Sequence, residues 1–122
     1  MSDPNFVLLY VKSPSQSAAF YADLLGKPAV ESSPAFAMFA LDSGVMLGLW
    51  AAHTVQPVAT AAGGGELAFA VDGNATVDTQ HAAWRAKGLT VVQAPTVLDF
   101  GYTFVALDPD GHRLRVFAPG TA

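Results

Sequence analysis

Residues 6–11 are continuously apolar and rich in strand formers, and Ser13-Pro14 behind them supply a helix N-cap and a proline suited to the first helical position. Ala18, Tyr21, Leu24 and Leu25 then recur at helical spacing, and Gly26 followed by Pro28 stops the helix as a left-handed cap followed by a breaker. Short strands are expected at 29–31, 36–41 and 45–51, with Asp42-Ser43-Gly44 as a tight turn between the last two. The first half therefore reads β-α-β-β-β.

After a stretch of small, polar and glycine residues at 52–65, the pattern restarts. Residues 66–71 predict a strand, and Asp72-Gly73-Asn74 turns into a helix carrying Val77, His81 and Trp84 on one stripe until Gly88. Strands are expected near 90–94, 102–107 and 112–117. The letters repeat as well as the pattern: Ala40-Leu41-Asp42-Ser43-Gly44 through Trp50 aligns with Ala106-Leu107-Asp108-Pro109-Asp110-Gly111 through Phe117, with one extra turn residue. Val11 then pairs with Val71, Phe6 with Glu66 and Gly26 with Gly88. We read this as a duplication, with module one at 5–51, a linker at 52–65 and module two at 66–118 of a single domain spanning 1–122.

One helix covers only one face of a β-α-β-β-β sheet, so the other face must meet the second module, another chain or a ligand. The expected fold class is α+β, two tandem modules forming a curved mixed sheet around a groove, with helices outside. Strand alternation assigns the faces. If Leu47, Leu49, Leu114 and Val116 pack on the helices, then Met46, Gly48, Trp50, Arg113, Arg115 and Phe117 look into the groove. Phe6, Leu8 and Tyr10 share one face of the first strand, as do Glu66, Ala68 and Ala70 of its counterpart.

Composition narrows the chemistry. Hydrophobic residues make up 52% of the chain and charged residues 13%, which places it among folding sequences and away from disordered ones. Cysteine is absent, excluding disulfides, thiolate metal sites and thiol nucleophiles. A net charge of -4 with scattered basic residues argues against nucleic-acid binding. The first residues lack the features of a signal peptide, and no apolar run approaches a membrane span, so the expectation is a cytoplasmic protein.

Tandem β-α-β-β-β units, Asp108-Pro109-Asp110-Gly111-His112 before the last strand and Phe20-Tyr21-Ala22-Asp23-Leu24-Leu25-Gly26 on the first helix resemble the vicinal oxygen chelate superfamily over nearly the whole chain. That group includes glyoxalases, extradiol dioxygenases, fosfomycin-resistance enzymes and metal-free drug-binding proteins of the bleomycin and phenazine resistance type. The resemblance places the enzymes' metal-ligand positions at Phe6, Gly48 (within one residue), Glu66 and Arg115. Only Glu66 carries a donor suited to a divalent ion, so neither a metal nor another cofactor is expected. A bidentate Glu66–Arg115 pair would fill that place, either as structure or with Arg115 anchoring a ligand.

The resemblance to the drug-binding members then implies a homodimeric protein that sequesters a planar aromatic small molecule or antibiotic. Trp50 and Tyr10 would stack on it, Phe6 and Phe117 would form walls, and Arg115, Glu66 or Tyr102 would supply polar contacts. Trp50 reads equally as dimer core, whereas Trp84 belongs to helix packing. A second reading is a metal-dependent lyase, isomerase or dioxygenase using Glu66 with His53 or His112. A third is an interaction module whose groove its own side chains fill. His53, His81 and His112 show no ligand spacing, and Asp108 with Asp110 reads as turn chemistry. Gly63-Gly64-Gly65 reads as linker, and Asn74-Ala75-Thr76 as the start of the second helix.

Overall fold

The computed structural model describes residues 1–120; residues 121–122, the end of the expected domain, lie outside the described part. The chain divides into two compact units between Ala62 and Gly63. In the first, β1 (Phe6–Val11) leads into α1 (Pro14–Leu25), followed by β2 (Glu31–Ser32), β3 (Phe36–Ala40), β4 (Met46–Ala51) and a short 3₁₀ turn at Ala52–Thr54. In the second, β5 (Glu66–Ala70) leads into α2 (Asn74–Ala86), then β6 (Val91–Leu98), β7 (Gly101–Leu107) and β8 (Arg113–Pro119). Each unit forms a four-stranded mixed sheet, ordered β1-β4-β3-β2 and β5-β8-β7-β6. In both, the first strand runs parallel to the last and the other pairs are antiparallel. The α+β fold of two β-α-β-β-β modules is thus present.

Local chemistry explains the boundaries. Ser13 caps α1 by accepting a hydrogen bond from the Gln16 amide at 3.3 Å, Pro14 begins it, and Gly26 at φ 70° ends it with its amide on the Ala22 carbonyl. α2 starts at Asn74 as expected, behind Gly73, an N-cap that makes no side-chain bond. Its last residue is Ala86, with Gly88 at φ 91° just beyond. The strand expected at 29–31 sits at Glu31–Ser32, and that expected at 90–94 extends to Leu98 despite Pro95. β6 is a sheet edge and its register shifts twice against β7, the setting in which a strand tolerates proline.

Each helix lies on one face of its own sheet. Tyr21 is buried under α1 with Phe39, Leu47, Leu49, Ala37 and Val11, its ring 6.5 Å from that of Phe39. Under α2, Trp84 packs edge-to-face on Phe69 at 5.7 Å and on Phe104 at 5.3 Å, with Leu114, Val116, Ala106 and Val77 buried around them. Trp84 is therefore a packing residue. Leu47, Leu49, Leu114 and Val116 all face their helices, as alternation predicts, and the intervening side chains stand on faces that no helix of their unit covers.

Candidate functional site

On the first sheet, the ladder sets Phe6 beside Met46, Leu8 beside Gly48 and Tyr10 beside Trp50, which in turn opposes Phe36. All these side chains stand opposite α1. Tyr10 and Trp50 meet edge-to-face, centroids 6.3 Å apart with planes at 75°. Phe6 and Leu8 keep 49% and 46% of their surface exposed, an apolar surface that the unit's own helix leaves bare. Gly48 allows the face to close up: a Cβ there would stand 2.7 Å from Leu8 Cδ2 and 2.8 Å from Phe36 Cζ. The missing side chain lets Leu8 and Phe36 lean over the backbone from both neighbouring strands.

The corresponding face of the second sheet is polar at its centre. Arg115 Nε donates to Glu66 Oε1 at 2.7 Å and its Nη2 to Glu66 Oε2 at 3.0 Å, the expected bidentate pair. Its Nη1 donates to Gln93 Oε1 at 3.3 Å and Thr103 Oγ1 at 3.2 Å. Thr103, fully buried, passes its own hydroxyl proton to the Val116 carbonyl at 2.9 Å. Four of the five guanidinium N–H groups are thereby used. The Phe100 ring lies 5.7 Å from the guanidinium carbon and meets Phe117 edge-to-face at 5.8 Å.

The hydrogen bonds from Arg115 hold the Glu66 carboxyl below its ordinary pKa; partial burial opposes this, while the charges of Arg115 and Arg113 reinforce it. Glu66 is an anion committed to Arg115.

Tyr102 stands elsewhere. Alternation along β7 puts it on the helix side, where its hydroxyl donates to Asp78 of α2 at 2.7 Å. Tyr102 and the Arg115–Glu66 pair therefore stand on opposite faces of the second sheet. His53 is exposed in the 3₁₀ turn, His81 meets Phe104 edge-to-face at 5.3 Å and His112 lies in the β7–β8 turn. Asp108 Oδ1 accepts from the amides of Asp110 and His112, both at 2.9 Å, which makes it a turn former. Gln93, Thr103 and Phe100 complete the Arg115 cluster without having been singled out in the sequence. Phe100 shows a local signal, an Asp99-Phe100-Gly101 turn, whereas the Gln93 orientation depends on the β6 register shifts.

The residues do not fit a divalent metal centre. Of Phe6, Gly48, Glu66 and Arg115 only Glu66 offers donor oxygens, and both are taken by a guanidinium. Among the described residues no three His, Asp or Glu side chains stand close enough to hold an ion.

Known proteins agree with this architecture. The chain is 28% identical over 116 residues to the phenazine antibiotic resistance protein EhpR of Enterobacter agglomerans, covering 93% of this chain and 89% of that protein. It is 52% identical to an Agrobacterium tumefaciens protein solved by NMR, with a TM-score of 0.91 over 99% of this chain and 100% of the other. A glyoxalase-related enzyme from Fulvimarina pelagi shares the fold at 22% identity, with a TM-score of 0.84 over 97% of this chain and 88% of that one. The family model described as Glyoxalase/Bleomycin resistance protein/Dioxygenase superfamily matches residues 4–116. Two modules, each with its first strand parallel to its last and a helix on one face, are the frame on which that match falls, and the chain belongs to this superfamily.

Proposed function

We propose that this protein binds a planar aromatic small molecule and holds it without chemical change, in the manner of a drug-sequestering resistance protein. The observation that carries the reading is the bare aromatic face of the first sheet, where Tyr10 and Trp50 stand edge-to-face beside exposed Phe6 and Leu8. With the indole and phenol planes at 75°, a fused ring system can lie flat on one of them and meet the other edge-on, each such contact contributing about 0.5–1.5 kcal/mol beyond the apolar area it buries. The name of the EhpR relative makes phenazines the first compounds to try.

The second module offers a wall of its own, Phe117 with Phe100, bordered by the Glu66–Arg115 pair. Since Arg115 spends four of its five N–H groups on Glu66, Gln93 and Thr103, that border presents a neutralised charge pair with one N–H to spare. This favours an uncharged ring system over a carboxylated one. We further infer a cytoplasmic homodimer; no described helix is long and apolar enough to cross a membrane.

Tryptophan fluorescence titrated with phenazine and other fused aromatics tests the proposal. Saturable quenching that is lost in Trp50→Ala and kept in Trp84→Phe is the expected result. Binding that survives in Trp50→Ala would remove the stacking role. Stabilisation by a divalent metal, with silence toward every aromatic, would turn the search to glyoxalase-like or dioxygenase activity.

A further inference from the structure

On the helix-bearing side of the second unit, α2 and the edge strand β6 border an open cleft of about 400 Å³ lined by His81, Arg85, Leu89, Val91, Val92 and Ala94. All six lining residues belong to the second unit. His81 and Arg85 are four residues apart on α2, so they rise from the same helix face about 5–6 Å apart at their Cβ atoms. The cleft's volume is in the range of small-ligand sites, roughly 300–1,000 Å³.

Its chemistry is one-sided. Among the described residues its polar side chains are His81 and Arg85, with no carboxylate, and the other four lining residues are aliphatic. The His81 ring is oriented by edge-to-face packing on Phe104, itself fully buried, while its nitrogens take no partner among the described residues. Arg85 is exposed and its guanidinium makes no hydrogen bond or ion pair among the described residues. This contrasts with Arg115, whose donors are nearly all spent. The chain's net charge of -4 makes an unpaired basic pair beside an apolar wall a local exception.

We propose that this cleft is a binding site for a small aliphatic carboxylate. The Arg85 fork takes the carboxylate oxygens side by side, His81 donates a further hydrogen bond, and Leu89, Val91, Val92 and Ala94 cover the hydrocarbon body. A point anion such as phosphate leaves the aliphatic wall unused, and a neutral alcohol leaves the guanidinium unpaired; neither matches the lining.

The test is an NMR titration of the full chain with sodium cyclohexanecarboxylate, a saturated ring that cannot stack on Trp50. Saturable shifts confined to the His81 ring, the Leu89, Val91 and Val92 methyls and the α2–β6 region are expected. Arg85→Ala, an exposed substitution, and His81→Gln should each weaken binding about ten-fold, the loss of one charge-assisted contact. Trp50→Ala should leave this titration unchanged, which separates the site from the aromatic wall. The proposal is overturned by linear, unsaturated shifts up to about 10 mM. It is equally overturned if cyclohexylmethanol or inorganic phosphate reproduces the same shifts, or if Arg85→Ala binds as well as the parent.

Discussion

Arg115 grips both oxygens of Glu66 although its own neighbour in the parallel β5–β8 ladder is Ala68, two residues further along β5. The small side chain of Ala68 lets the guanidinium lie back along the sheet toward the carboxylate. The pair is a diagonal brace between first and last strands of the module, tied also to β6 through Gln93 and to β7 through Thr103. All four strands of the sheet meet at one guanidinium.

Removing one member of the brace leaves the other without its partner. The side chains retain 16% exposure at Arg115 and 28% at Glu66, so water offsets part of the loss. Arg115→Met should cost about 1–3 kcal/mol in urea unfolding, between exposed and buried pairs. The double variant with Glu66→Gln should cost less than the two single changes summed, by about 1 kcal/mol. Strict additivity would show that the two side chains do not stabilise one another.

Acid should reveal the same pair. The Glu66 carboxyl lies below its ordinary pKa in the folded chain, so the unfolded chain takes up its proton first as pH falls. Stability from Glu66 is complete above the ordinary carboxylate range and is lost as pH drops through the folded value. Urea midpoints measured from neutral pH downward should fall less steeply in Glu66→Gln than in the parent. Parallel curves would contradict the assignment.

The Tyr102 hydroxyl behaves in the opposite sense. Its hydrogen bond to Asp78, with smaller contributions from desolvation and the carboxylate charge, raises its pKa above the ordinary phenol value. The folded chain therefore keeps this proton longer, and the contribution is lost as pH rises through the folded value. Tyr102→Phe should remove that alkaline loss, so that urea midpoints stay level where the parent's fall, and leave aromatic binding untouched. Impaired phenazine quenching in Tyr102→Phe would return the residue to the binding site.

Two glycines should respond very differently to alanine. Gly101 has φ 142°, and an added Cβ would run into the carbonyl oxygen of Ala118 on the adjacent strand, where no side chain can yield. Gly101→Ala should cost about 3 kcal/mol or more. At Gly48 the obstacles are the flexible end of Leu8 and the Phe36 ring, so Gly48→Ala should cost only about 1 kcal/mol while pushing both side chains outward. Thermal unfolding of the two variants gives the order; equal losses would refute this account of the strand contacts.

Much of the fold is legible along the chain because its signals are local. Ser13-Pro14 and Gly26 bound α1 through bonds made within one turn, and Asp108-Pro109-Asp110-Gly111 closes its own loop through the Asp108 side chain. Alternation put Leu47 and Leu114 under helices and Trp50 and Arg115 opposite them, since a period of two admits no other arrangement once one face is buried. The Glu66–Arg115 pair was foreseeable from the family resemblance, which placed both at ligand positions on the first and last strands of one module.

Other features required strands to be neighbours. The amino-acid order alone places complementary charges on one sheet face and aromatics on another, because both follow from alternation. Which partners surround Arg115 rests on two register shifts in β6 that turn Gln93 toward it, and on a turn that lays Phe100 over its guanidinium. Tyr102, one residue from Thr103, went to α2 and Asp78 because a one-residue step along a strand is a change of face. The cleft between His81, Arg85 and β6 exists only once helix and edge strand pack together, since its two halves come from elements whose separation along the chain says nothing of the space between them.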